Sequence, residues 1–383
     1  MLKTLVRNTF LYIFGATAIL LFKFSAIFFN LKLARLHEKR IGHFVFDAEQ
    51  ILRIKQANTI VLVSYYDQEI CNSYIHSLIK KNFIYSRYFN ILHHPKIRRL
   101  FNDYERFVFD LNWKHGVSRN LAHHEPQIKS TAKQNEEGIN FINSIGLNPK
   151  KIVAIVVRDS AFLPELNHHS YRDCQIENFY PLITFLLNQG YSVIRMGKQM
   201  NSRVNISHPL FYDYAFSSRK SDFLDVWIMM NAYEVITTGT GLENITDISN
   251  RPYVGINFTP LLHYNSWNPL FWWAPKILCY ENSSTPVPLS EQIKSGSINF
   301  MLSNEYEESG YAFKETSPEL NISIIGEVLK RRSKNYNDSF EKERIYIHKK
   351  FLDSNFFKTM HADKKNFNLS SEFIKENLNW LLK

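Results

Sequence analysis

Between Lys151 and Phe258 the sequence alternates, on short connections, two kinds of segment that leave few folds open. "KIVAIVVRDS" is an apolar, β-branched run that ends in charge, "NFYPLITFLLNQGY" an amphipathic helix, and "SVIRMG" a second strand. "DFLDVWIMMNAY" is another helix, "EVITTGTG" a third strand and, after one more helix, "RPYVGINF" a fourth. Strands joined through helices in this way form a doubly wound parallel sheet. Its ligand is expected beyond the carboxyl ends of the strands, which are Arg158-Asp159-Ser160, Arg195-Met196-Gly197 and Thr237 to Gly241.

The chain's 383 residues exceed what one core comfortably serves. In the first half, "NLKLARLHEKRIGHFVFDAEQILRI" reads as a strand at Leu31 to Leu36, a loop ending in Gly42-His43, and a helix from about Phe44. "TIVLVS", Thr59 to Ser64, is a buried strand. Together they begin another parallel sheet. Residues 70–130 read only as helices, and "STAKQNEEGINFINSIGL" is a helix stopped by Gly146, placed as the hinge. The expected organisation is an apolar helix at 1–30, an N-terminal α/β domain at 31–147, a C-terminal α/β domain at 148–332, and helices at 333–383 positioned to return over the first domain.

"TFLYIFGATAILLFKFSAIFF", Thr9 to Phe29, is apolar except for Lys23. A spanning helix needs about 20 apolar residues, so the length admits a membrane anchor, an interfacial helix with Lys23 snorkelling, or a buried helix. No small-residue cleavage site follows it. Lys32, Arg35, Lys39 and Arg40 outweigh Lys3 and Arg7 on the other side, which by the positive-inside rule keeps the body of the protein in the cytoplasm.

Apolar residues at 45% and charged residues at 21% exclude a disordered or collagen-like chain. Three cysteines outside any CxxC pattern indicate a reduced compartment. The net charge of +10 invites a nucleic-acid partner, but it is spread along the chain rather than gathered in one dense run and could equally serve anionic lipid or a phosphorylated substrate, so no nucleic acid is expected. The pairs His93-His94, His123-His124 and His168-His169 lack a third ligand at metal spacing, so no metal site is expected. With neither a Walker lysine nor GxGxxG, a P-loop and a standard dinucleotide site are unsupported, and no cofactor is expected.

The stretch with most chemical potential is "TTGTG". Glycine lets backbone approach a bulky anion, the following helix offers free N–H groups and a positive dipole end, and threonine adds a hydroxyl donor. Thr238, Gly239, Thr240 and Gly241 are thus a candidate diphosphate cradle, although most such turns are only turns. Arg158 and Arg195 end two strands on the same sheet edge, where each either meets an anionic ligand or pairs with a nearby carboxylate. Arg172 in "SYRD" is a third candidate, and Gly197 closes the Arg195 strand. The aromatic stretch "HYNSWNPLFWWAPK" reads as core or as a stacking surface.

"IVAIVVRDS", "YRDCQIENFYPLITFLLNQGYSVIRMG" and "EVITTGTGLENITDISNRPYVGINFTPL" resemble a family of bacterial surface-polysaccharide glycosyltransferases. More distantly they are similar to the heptosyltransferases of lipopolysaccharide assembly. The resemblance covers about Lys151 to Leu262 well, with "IGH" near residue 42 and "SPELNISIIGEVLKRR" near the end. It implies a GT-B fold of two Rossmann-like domains, here behind an N-terminal hydrophobic helix, and transfer of a sugar from a nucleotide-diphosphate donor to a glycan or lipid-linked acceptor at the inner membrane. In the heptosyltransferases this loop runs "IGD" and its aspartate is similar to a catalytic base; His43 stands there in this chain, beside Gly42. The resemblance thus implies His43 as general base, with Asp47, Glu49 and Asp67 as the nearby carboxylates. A sugar-nucleotide epimerase of the same architecture, or a nucleotide-sugar-binding protein without turnover, are the alternatives.

Overall fold

Each half of the chain that alternates strand with helix builds its own parallel sheet. A computed structural model describes residues 2–66, 69–109, 111, 121, 124–161, 164–353 and 366–383. The chain divides into two compact units, Met1–Asn112 with His124–Lys129, and Trp113–His123 with Ser130–Lys383.

The first unit opens with helix α1 (Leu2–Phe28). Strand β1 (Asn30–Leu36), helix α2 (Ile41–Ile54), β2 (Thr59–Tyr65) and the two-residue β3 (Ile84–Tyr85) follow. The sheet runs β1-β2-β3, parallel throughout, in register from Asn30 opposite Thr59 to Leu36 opposite Tyr65. Leu33, Leu36, Val61 and Val63 bury their side chains, and α2 supplies Phe44, Val45, Ala48 and Ile51 from one face. That face sets where α2 begins. Phe44 N–H donates to Arg40 O at 2.8 Å and closes the first turn, so Gly42 and His43 lie inside the helix and not, as expected, in the loop before it. Asn72, to which the sequence assigns no role, caps the helix Ser73–Lys80 by accepting Ile75 N–H at 2.8 Å.

The second unit starts with the helix Ala132–Ser144, whose Thr131 and Gln134 form a capping box. Gly138 lies against Trp227, where a Cβ would stand 2.1 Å from the indole. The main sheet runs β6-β5-β4-β7-β8-β9 and is parallel throughout: β4 (Ile152–Val156), β5 (Ser192–Arg195), β6 (Phe211–Asp213), β7 (Glu234–Thr237), β8 (Tyr253–Ile256) and β9 (Phe271–Ala274). β6 and β9 are additions to the four strands read from the sequence. β9 lies within the aromatic stretch, and Trp273, fully buried, stacks on Tyr264 with ring centroids 5.1 Å apart, so that stretch is core. The chain winds from β4 outward through β5 to β6, then returns to the other side of β4 for β7. The order therefore reverses between β4 and β7, the point where open α/β sheets leave a crevice.

The last residues are tied into the second unit. Glu327, buried in the helix Pro318–Arg332, accepts the Ser370 hydroxyl at 2.6 Å and the N–H groups of Ser371 and Glu372, both at 3.0 Å. Ser370 N–H donates to Trp273 O at 2.9 Å. The α/β class expected from the sequence is the class observed, with a parallel sheet in each unit and an apolar N-terminal helix.

Candidate functional site

The ends of β4 and β7 are stitched together across the reversal point, where Arg158 N–H donates to Thr238 Oγ1 at 2.8 Å. Three cations gather around that stitch. Arg158 Nε pairs with Asp173 Oδ1 at 2.8 Å, as the plain salt-bridge alternative foresaw. Arg172 Nη2 donates to Gly239 O. Lys276, 5% exposed, donates from Nζ to Tyr171 O at 3.0 Å and to Asp173 O, fixing the segment that carries both Arg172 and Asp173.

Arg172 is the unbalanced member. Burial lowers the pKa of its guanidinium, and Tyr171 opposes that shift more than Arg158 adds to it, with smaller support from Glu243 and Asp173. An arginine stays charged in such surroundings, yet among the described residues its buried Nε has no hydrogen-bond partner. The same positive field is felt at His169, whose pKa falls to about 4 through burial, His168 and the two arginines. A charge held this way is costly until an anion meets it.

The TG turn itself departs from expectation. Thr240 N–H and Gly241 N–H donate to Glu243 Oε2 at 2.9 and 2.8 Å, and the Thr240 hydroxyl donates to the same oxygen at 2.9 Å. The groups expected to cradle a diphosphate are thus filled by the chain's own buried carboxylate. Positive φ at Gly239 (82°) and Gly241 (96°) allows the reversal that brings Glu243 back onto them. The spacing Thr240-Gly241-Leu242-Glu243 is that of a capping box, a signal present in the sequence. Gly239 meets Arg172 directly. Its carbonyl holds Arg172, and a Cβ there would lie 3.3 Å from Arg172 Nη2 and 3.4 Å from the Phe258 ring.

Arg195 and Gly197, also expected as ligand contacts, both bear on the segment that follows β5. Arg195 is fully buried, donates from Nη1 to Ser202 O at 2.6 Å, and lies 3.5 Å from Asp213 Oδ2. Gly197 leaves room for Met200, whose Sδ would be 2.6 Å from a Cβ. Both shape the segment Met200 to Ser202. That segment forms one wall of a cavity of about 280 Å³, whose other walls include Val157, Asp159, Asp173 and Cys174. Among the described residues, the buried Nε and Nη2 of Arg195 have no hydrogen-bond partner.

In the first unit, chemistry collects at the carboxyl ends of β1 and β2. The Tyr66 ring stacks on His37 at 3.8 Å and 2°, and the Arg35 guanidinium carbon lies 3.8 Å from the Tyr66 centroid. Glu38, fully buried, accepts Tyr66 N–H at 2.9 Å. His43 is exposed in the first turn of α2, its ring 5.6 Å from that of His37. Although part of the ring is open to solvent, the protein packed around the rest of it, then His37 and Arg40, lower its pKa to about 4, so it is neutral at physiological pH. One turn further, burial alone raises the Asp47 carboxyl to about 7. Glu49 is committed to structure, paired with Arg53 at 2.7 Å and accepting the N–H groups of Gln127 and Ile128. Asp67 lies outside the described residues. Sequence reasoning passed over Lys276 and the Arg35, Tyr66 and His37 stack, although Arg35, His37 and Tyr66 all sit at or just past strand ends.

Among the described residues, no group of three or more His, Cys, Asp or Glu is arranged to hold a metal ion. No family model matches the chain, and no curated protein does. In structure it is similar to the ADP-heptose lps heptosyltransferase II of E. coli at 10% identity and a TM-score of 0.44, over 64% of this chain and 90% of that one. It is similar to the glycosyl transferase family 9 structure from Veillonella parvula DSM 2008 at 12% identity and a TM-score of 0.46, over 79% and 97% of the two chains. Similarity to the UDP-GlcNAc 2-epimerase of Methanocaldococcus jannaschii is weaker, with 11% identity and a TM-score of 0.29 over 78% and 77%. At such values the likenesses carry no residue role into this chain, whose site rests on its own geometry.

Proposed function

We propose that the protein is a glycosyltransferase that moves a sugar from a nucleotide-diphosphate sugar to a glycan or lipid-linked acceptor. The observation that carries this is the desolvated Arg172 at the reversal point of the second unit's sheet, flanked by Arg158 and Lys276. A diphosphate matches that charge, and guanidinium groups bind phosphate oxygens with directed hydrogen bonds. In this reading Arg172 and Arg158 hold the diphosphate beside Thr238 and Gly239, Lys276 fixes the segment that presents them, and the cavity bordered by Asp173 takes a further part of the donor. Glu243 holds the TG turn in shape. His43 serves as the base that takes the proton of the acceptor hydroxyl as the oxygen attacks the anomeric carbon and the nucleoside diphosphate leaves. We further take the reaction to run at the cytoplasmic face of a bacterial inner membrane, a reading supported by the basic residues around α1, which suit an anionic leaflet.

Incubating the full chain with UDP-, GDP-, ADP- or CMP-sugars, each with and without a bacterial lipid and polysaccharide extract, tests this. Release of the nucleotide that depends on the extract, with label entering glycan or lipid, is the expected result. Conversion of the donor to an isomer without any acceptor would replace transfer by epimerisation. Binding without either change would leave a nucleotide-sugar-binding protein.

A further inference from the structure

Helix α1 carries two apolar stripes on opposite sides. Leu11, Gly15, Ala18, Ile19 and Phe22 recur at helical spacing and face the first unit's core, packing with Leu31, Leu33, Leu92, Ile97 and Phe101. The contact is close, since a Cβ on Gly15 would stand 2.2 Å from Ile97 Cδ1. The opposite stripe, Phe10, Phe14, Leu20, Leu21, Phe24 and Ile27, is bare, with Leu20 68% and Ile27 73% exposed. A continuous apolar ridge of this length on a folded unit calls for a partner.

The inner stripe decides what that partner is. A helix that crosses a bilayer presents its circumference to lipid or to other membrane-embedded apolar surface. Here the polar folded unit accompanies α1 along its length: Asn8 accepts from Lys96 Nζ at 2.9 Å near one end, and Lys23 pairs with Asp103 at 3.4 Å near the other. Those two contacts are about 22 Å apart along the axis at 1.5 Å per residue. Crossing the hydrocarbon would drag Arg98, Arg99, Asp103, Glu105 and Arg106 into it, which charged side chains resist. Lying flat, α1 sinks only its outer stripe. Around it Lys23, Lys32, Lys96, Arg98, Arg99 and Arg106 outnumber Asp103 and Glu105, a positive rim that complements an anionic leaflet.

We propose that α1 is a keel that lies in the plane of one leaflet of an anionic bilayer, with Phe10 to Ile27 in the acyl boundary and the inner stripe still packed on the first unit. This holds whether or not the chain transfers sugar, because it concerns a surface of the first unit alone and needs no turnover. The test uses the full chain with vesicles of phosphatidylcholine, either pure or with about one-third phosphatidylglycerol. Flotation with the anionic vesicles is expected, with at least about tenfold less for the double variant Leu20→Glu, Phe24→Glu, whose two positions are exposed, so that an unchanged circular dichroism spectrum is expected. In a Cys71→Ser background, fluorophores attached at Phe10→Cys and Phe28→Cys should be quenched equally by shallow nitroxide lipids. Absence of flotation, equal flotation of the double variant, or labels at clearly different depths would each overturn the keel, the last by showing a crossing helix. Self-association lost in the double variant, without vesicle binding, would assign the stripe to a second copy of the chain instead.

Discussion

Replacing His43 by alanine is expected to lower kcat by about 10²-fold or more with little change in donor affinity, because a base acts in the transition state and not in donor binding. The pH profile distinguishes it from its neighbour one turn along α2. A base works only when deprotonated, so its activity is present above its pKa and lost as pH falls through it. With His43 as base, the acid limb of kcat/KM lies near its pKa of about 4, and the parent enzyme keeps full activity at pH 6. With Asp47 as base, the limb lies near about 7, the Asp47→Asn variant loses the rate, and His43→Ala retains it. A His43→Ala variant that keeps kcat and raises only the acceptor KM would make His43 a binding residue.

Valine in place of Gly239 should abolish nucleotide-sugar binding while leaving the far-UV spectrum unchanged. Two effects act at one position. A φ of 82° is strained for a β-branched residue, at a cost on the order of 1–3 kcal/mol. The new side chain also enters the space between Arg172 Nη2 and the Phe258 ring, so the guanidinium loses its seat on Gly239 O. The loss therefore comes through Arg172, and not through the amides of Thr240 and Gly241, which Glu243 already occupies. Parental affinity in the variant would make the turn purely structural.

How far this was legible in the sequence differs between strands and side chains. β4, β5, β7 and β8 read clearly because strands buried on both faces must be nearly all apolar, and Ile152 to Val156 is such a run. β3 and β6, of two and three residues, are too short to show a period, and the tryptophans of β9 are as compatible with a surface as with a core. The glycines of the TG turn announced a reversal correctly. Which anion the reversal would meet was carried by Glu243, in capping-box spacing that was passed over. Arg158, Arg172 and Arg195 look alike in one dimension. Their roles separate only when folding brings Asp173 to the first, Gly239 O to the second, and Ser202 O with Asp213 to the third.

Calorimetric titration of the purified chain with UDP-, GDP-, ADP- and CMP-sugars, alongside Arg172→Gln, tests the central claim most directly. The account predicts saturable binding of at least one of them, one ligand per chain, weakened at least about tenfold when the Arg172 charge is removed, as loss of a desolvated charge-assisted phosphate contact requires. Binding of none of the four, or binding that Arg172→Gln leaves unchanged, would contradict it.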